Sequence, residues 1–344
     1  MTASMSASTG PADPRSAVNT LDDATPFLLL PVRLETRFAA GPAELWVRVY
    51  PDDCLVDTFD PVLTDGEVAN GQVYWRRIWL AYGDQGLERA AWRELVAAHG
   101  SGRAGWIVDS YAPTNPGDKP TQPTDNPPQP EFPAVATKPH PWAIAPHTTI
   151  LPQRFVFIGY PAGGGAPVVV VGNPVPADVQ VGPDGSATGP GQLRPDGAGG
   201  LSIPDGLAWV ADFDRAVAIG MAMRVPLDAA QARGGFDRVL VLGVRLGEDA
   251  ATARSRLEDL LRHHAYGRTG LAVLAQGTAT NNTEQAPAGH DRGDDPDATF
   301  DRTTPRYTPT PDAAAKRDGQ WLAEHLGVAG DFFAHTAGAE VPTS

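Results

Sequence analysis

The sequence has a single cysteine, Cys54, among 344 residues. That excludes an intrachain disulfide and fits a reducing compartment. Basic groups are scarce as well. Lys and Arg number 27 against 41 Asp and Glu, which leaves a formal net charge of −14. Phosphate contacts need a basic surface, so nucleic acid is excluded as the main partner. Long apolar runs are missing. The early run Phe27–Val32 falls far short of the ~20 residues that span a bilayer, and residues 1–25 hold no apolar segment of a secretory signal. The expectation is a soluble, cytoplasmic protein with no membrane insertion.

Strong chemical motifs are also lacking. There is no G-x-x-x-x-G-K-[ST], no G-x-G-x-x-G after a strand, no H-E-x-x-H, no G-x-S-x-G and no pair of C-x-x-C. No cofactor, no bound metal and no catalytic residue is therefore expected. No period repeats along the chain, which excludes solenoids and propellers.

Glycine and proline, in contrast, are abundant, at 37 and 34 residues. They gather in two stretches. Residues 112–146 carry eleven prolines, and residues 174–206 carry six prolines and eight glycines. Eight tryptophans point to a real core, since each large ring needs cover.

Between these stretches the periodicity is legible. Phe27–Phe38 reads as a strand that ends in alternation, with Leu34, Thr36 and Phe38 on one face and Arg33, Glu35 and Arg37 on the other. Glu44–Tyr50 reads as a second strand. Thr64 and Glu67 form a capping-box pattern that opens a helix carrying Val68, Trp75, Ile78, Trp79 and Tyr82 on one face. Further helices are expected over Asp84–His99, with Leu87, Ala91, Leu95 and Ala98 as the inner stripe, and over Ala104–Tyr111. Arg154–Gly159 and Pro167–Val171 flank Gly163–Gly165 as a hairpin. The C-terminal half reads as a helix at Ala208–Ile219, a strand at Met221–Val225, a doubly buried strand at Arg238–Val244, a helix at Glu248–Tyr266, a strand at Leu271–Ala275 and a closing helix at Ala313–Leu326.

The fold class is therefore α/β: a mixed sheet with at least one βαβ unit, a helical block in the N-terminal half and long Pro/Gly-rich loops. The expected organisation is a disordered arm over 1–25, an N-terminal lobe over 26–111, a Pro-rich linker or strap over 112–146, a C-terminal lobe over 147–335 and a tail over 336–344.

Candidate sites are few. If Arg238–Val244 and Leu271–Ala275 are parallel, their carboxyl ends share one sheet edge, where ligands of open α/β sheets bind. That edge would bring Arg245 to Gln276, Thr278, Asn281 and Asn282, a set suited to a polar or anionic group. The competing reading has Asn281 and Asn282 bracing a long loop. Asp291, Asp294, Asp295, Asp297 and Asp301, with His290, offer oxygen ligands to calcium or magnesium, but their spacing matches no EF-hand, and a solvated acidic loop is preferred. Adjacent on a helix, His263 and His264 diverge by about 100°. His264 lies on the apolar face, and His263 sits beside Asp259 and Arg256 on the wet side. Asp52 and Asp53 disfavour a thiolate at Cys54. Arg33, Glu35 and Arg37 read as a surface ladder.

Four strings carry a resemblance: LPVRLETRF at 30–38, RVYPDDCLVDTFDPVLTDGEVANGQVYW at 48–75, DFDRAVAIGMAMRVPLD at 212–228 and QGTATNNTE at 276–284. Together they resemble a group of large, uncharacterised bacterial proteins, sometimes encoded near phage-tail-like contractile injection systems. The likeness runs from residue 26 onward and corresponds to the N-terminal part of longer proteins. It implies an accessory or structural role and transfers no catalytic residue. The leading expectation is a non-enzymatic structural or interaction protein whose partners are other proteins of a larger assembly. The alternatives are a small-ligand-binding protein or enzyme at the Arg245–Asn281 edge, and a metal-dependent hydrolase on the Asp291–Asp301 loop.

Overall fold

The computed structural model describes residues 28–39, 43–141, 144–243, 245, 247–267, 269–274, 290–291, 295–300 and 305–342. Its longer elements, in chain order, are β1 (Val32–Phe38), β2 (Glu44–Pro51), α1 (Asp65–Leu80), α2 (Gln85–His99), α3 (Ser101–Ser110), β3 (Phe155–Pro161), β4 (Val168–Val171), β5 (Ala222–Pro226), β6 (Phe236–Gly243), α4 (Ala250–Ala265) and α5 (Asp318–Leu326). The class is α/β, with the helical block in the N-terminal half.

Two antiparallel three-stranded sheets, ordered β1–β2–β5 and β6–β3–β4, share the main core. Alternation builds the first. Along β2, Leu45, Val47 and Val49 turn to one face and are buried, while Trp46, Arg48 and Tyr50 turn to the other and are half-buried against residues 209–213. Phe155 and Phe157 of β3 and Met223 and Val225 of β5 close on the same core. Burying each such side chain contributes roughly 1.5–3 kcal/mol. Gly163, Gly164 and Gly165 all take positive φ between β3 and β4, which L side chains rarely adopt, so the turn needs glycine.

One sheet therefore crosses the division into lobes. Its strands β1 and β2 come from the stretch assigned to the N-terminal lobe, and β5 from the stretch assigned to the C-terminal one. The Pro-rich segment packs back as a strap. Phe132 stacks on Tyr111 at 5.1 Å, and Thr137–Lys138 pairs in parallel with Leu63–Thr64. This pairing encloses α1–α3 between two parallel strands, so a strand–helix–strand unit is present here.

The unit expected at 238–275 is not present among the described residues. Strand β6 pairs antiparallel with β3, and residues 271–274 make one bridge, from Ala272 to Ala337. Both segments are apolar, and apolar runs do not encode which neighbour they take. Strand β6 is also half-exposed rather than doubly buried, because it lies at the edge of its sheet. In α2 the inner stripe is Ala91, Trp92, Leu95 and Val96, while Leu87 and Ala98 are exposed. The helix expected over Ala208–Ile219 is two short ones, 208–211 and 213–218, the second capped by Asp212.

Candidate functional site

Arg103, near the start of α3, gathers polar groups of two segments around it. Its guanidinium faces Glu67, whose position is set by sequence-local physics. The Thr64 hydroxyl accepts from the Glu67 N–H, and the Glu67 carboxylate accepts from the Thr64 N–H at 2.7 Å, a closed capping box at the start of α1. The same carboxylate accepts from Arg103 Nε at 2.6 Å and Nη2 at 3.0 Å. Arg103 also donates to the carbonyls of Asp60 and Val62, the latter at 2.8 Å. Next to it, Lys138 of the strap lies 2.6 Å from Asp60 Oδ2. Burial acts to raise the Glu67 and Asp60 carboxyls. The hydrogen bonds and cations outweigh it and hold both below their ordinary range.

These groups line a cleft of about 580 Å³ between the 53–60 turn, α1, α3 and the end of α4. Across it stands His263. Its Nδ1 lies 2.5 Å from Asp57 Oδ2, and the other Asp57 oxygen accepts from the Phe59 N–H at 2.8 Å. Burial pushes the Asp57 carboxyl up. The His263 and Phe59 hydrogen bonds and the charge of His263 overcome that and bring it below its ordinary value. Phe59 stacks on the His263 ring at 4.6 Å and meets Trp106 edge-on at 4.9 Å. Trp106 in turn meets Tyr266 at 5.0 Å. The imidazole is thus fixed by one carboxylate and an aromatic wall, and its Nε2 makes no hydrogen bond among the described residues. No hydroxyl or thiol is hydrogen-bonded to it among the described residues. A second imidazole, His99, lines the same cleft, and burial lowers its pKa.

Arg245 has a different place. It donates to the carbonyls of Leu151 at 2.6 Å and Thr149 at 2.7 Å and pairs with Glu248 at 3.1 Å. Arg256 shares both Glu248 and the Thr149 carbonyl. The guanidinium ties the approach to β3 onto the start of α4. Gln276, Thr278, Asn281 and Asn282 lie outside the described residues, as do Asp294 and Asp301. Asp295 caps the short helix 296–299, and Asp297 pairs with Arg93 at 2.7 Å. Among the described residues no three His, Cys, Asp or Glu side chains converge as a metal site.

His264 is buried, as its apolar face implies. Its neighbour His263 meets Asp57 of a distant turn rather than Asp259, which pairs with Arg262. Asp57, Asp60, Arg103 and Lys138 carry no motif in the sequence that points to a site, and Glu67 stands out there only as a cap. On the far side of α4, Tyr307 donates to the Gly330 carbonyl at 2.7 Å. Burial and the charges of Asp331 and Glu324 push its phenol up to about 12, so it stays protonated.

Compared with known proteins, the chain matches no protein family, no curated protein and no solved structure. Among the described residues no helix is long and apolar enough to cross a membrane.

Proposed function

We propose that the protein is a non-enzymatic structural or interaction protein that works through protein–protein contact, as an accessory component of a bacterial contractile-injection-type assembly. The observation that carries this reading is the pairing of three carboxylates that line the cleft. Glu67 is held by Arg103, Asp60 by Lys138 and Asp57 by His263. Groups engaged in this way brace loops and helices against one another. The resemblance of the four strings to large bacterial proteins is what suggests the assembly. The test is native purification of a tagged chain from a bacterium that encodes it. The chain is expected to sediment within a particle containing several other proteins in constant ratio. Recovery only as a free chain overturns the reading.

One observation favours a second reading. His263 is oriented through Nδ1, and its Nε2 makes no hydrogen bond among the described residues, which suits a general base in an enzyme acting on a small substrate. The test compares the full chain with His263→Gln on a panel of activated carboxylic and phosphoric esters. Turnover lost in a folded His263→Gln protein would displace the interaction reading.

A further inference from the structure

Strand β1 lies at the edge of its sheet, and six of its seven residues are exposed. A strand in a half-buried sheet ordinarily hides one face. Here Leu34 and Phe38 lie on the same side as the core residues Val49 and Leu45 opposite them, yet remain 38% and 52% exposed. From Leu34 onward the outer backbone edge pairs with no strand among the described residues. Ala39 N–H donates to Glu44 on the β2 side, and Val49 N–H donates to Met221 on the β5 side. Antiparallel pairing alternates the direction of these groups. The odd-numbered residues of β1 therefore bond to β2, and the N–H and C=O groups of Leu34, Thr36 and Phe38 point outward. No strand pairs with them among the described residues.

We propose that β1 pairs antiparallel with β1 of a second copy of this chain, about a two-fold axis through Thr36, joining two three-stranded sheets into one. The proposal deepens the interaction reading and rests on it. Its occupant is set by self-complementarity. Pairing about Thr36 puts Glu35 of each copy opposite Arg37 of the other, and Leu34 opposite Phe38, twice each. Opposite charges and aliphatic–aromatic pairs directly across a ladder are each favourable. Pairing about Glu35 would instead set Glu35 against Glu35 and Arg33 against Arg37. Pairing about Leu34 matches Arg33 with Glu35 but leaves Phe38, more exposed than Leu34, without a partner in the strand. Alternating charge on an edge usually prevents pairing. In this strand it rejects the wrong registers and admits one that also continues the apolar layer across the junction. An isologous contact of this kind closes after two copies.

The test is sedimentation equilibrium of the full chain and of three variants, with circular dichroism and thermal unfolding to establish that each monomer is folded. The wild type is expected at twice the 36.3 kDa of one chain. Glu35→Arg and Arg37→Glu, each alone, set like charges opposite one another and are expected to weaken the dimer at least tenfold. Mixed one to one they restore opposite charges at both positions, and the dimer returns. The double variant Glu35→Arg/Arg37→Glu dimerises by itself. A wild type that stays monomeric at every concentration overturns the proposal, and so does a dimer that both single variants leave intact. A dimer lost in Glu35→Arg but kept in Arg37→Glu overturns the axis at Thr36. A monomer that still enters a larger particle overturns the self-pairing alone, whereas a β1-paired dimer that enters none overturns the assembly reading alone.

Discussion

Asp57 Oδ2 and His263 Nδ1 lie 2.5 Å apart, although 206 residues separate them in the chain. Their contact fastens the turn after β2 to the last turn of α4. Phe59, stacked on the imidazole, adds an apolar clamp at the same place. The cleft is therefore a junction between the first third of the chain and the C-terminal half.

That junction is expected to make the fold acid-sensitive. The Asp57 carboxyl is held below its ordinary value in the folded protein. Such a group contributes stability that is complete above its unfolded pKa, near 4, and is lost as pH falls through the lower folded value. Asp60 and Glu67 have the same sign. Asp57→Asn is expected to cost about 1–2 kcal/mol near pH 7 and to shrink the loss of stability between about pH 5 and pH 3. Urea unfolding of both proteins across that range checks it. Equal acid sensitivity in the variant would place the dependence elsewhere.

Arg103 holds a carboxylate whose side chain is only 8% exposed. Removing the cation leaves Glu67 without its charge partner and frees two loop carbonyls. Arg103→Met is expected to destabilise by about 2–4 kcal/mol. Adding Glu67→Gln should recover part of that loss, because the buried charge goes with it. Chemical unfolding of the single and double variants measures the coupling, and strictly additive costs would refute it.

Gly102, beside Arg103, allows α3 to touch the end of α4. A Cβ there would sit 2.3 Å from the Tyr266 carbonyl oxygen and 2.7 Å from that of Gly267. Both obstacles are backbone and cannot rotate aside. Gly102→Ala is expected to lower stability by about 3 kcal/mol and to disturb the Trp106–Tyr266 contact. A melting temperature and tryptophan emission unchanged from wild type would contradict this close approach.

Cys54 is predicted to be inert in the native protein. Burial, reinforced by the charge of Asp52, pushes its thiol far above the range in which thiolate forms. A thiol-reactive dye should label the chain only in denaturant, in step with unfolding. Rapid labelling of the folded protein would show that the residue is accessible.

Much of the local structure was legible in the sequence. Leu34, Thr36 and Phe38 share one face of β1, opposite Val49, Val47 and Leu45 of β2, as their alternation with Arg33, Glu35 and Arg37 implies. The Thr64–Glu67 capping box, the Gly163–Gly165 turn and the buried His264 also follow from short spacings. These features depend on interactions within a few residues, so composition and period encode them directly.

Pairing across the chain was decided by tertiary structure. Arg238–Val244 and Leu271–Ala275 look alike as apolar runs, yet β6 takes β3 as its neighbour, while Ala272 bridges to Ala337. Likewise β5 completes the sheet begun by β2, and Asp57 meets His263 rather than any residue near it in sequence. An apolar face specifies that it will be covered, and a charge specifies the sign of its partner. Neither specifies which distant segment supplies the cover or the partner, because that depends on how the whole core closes.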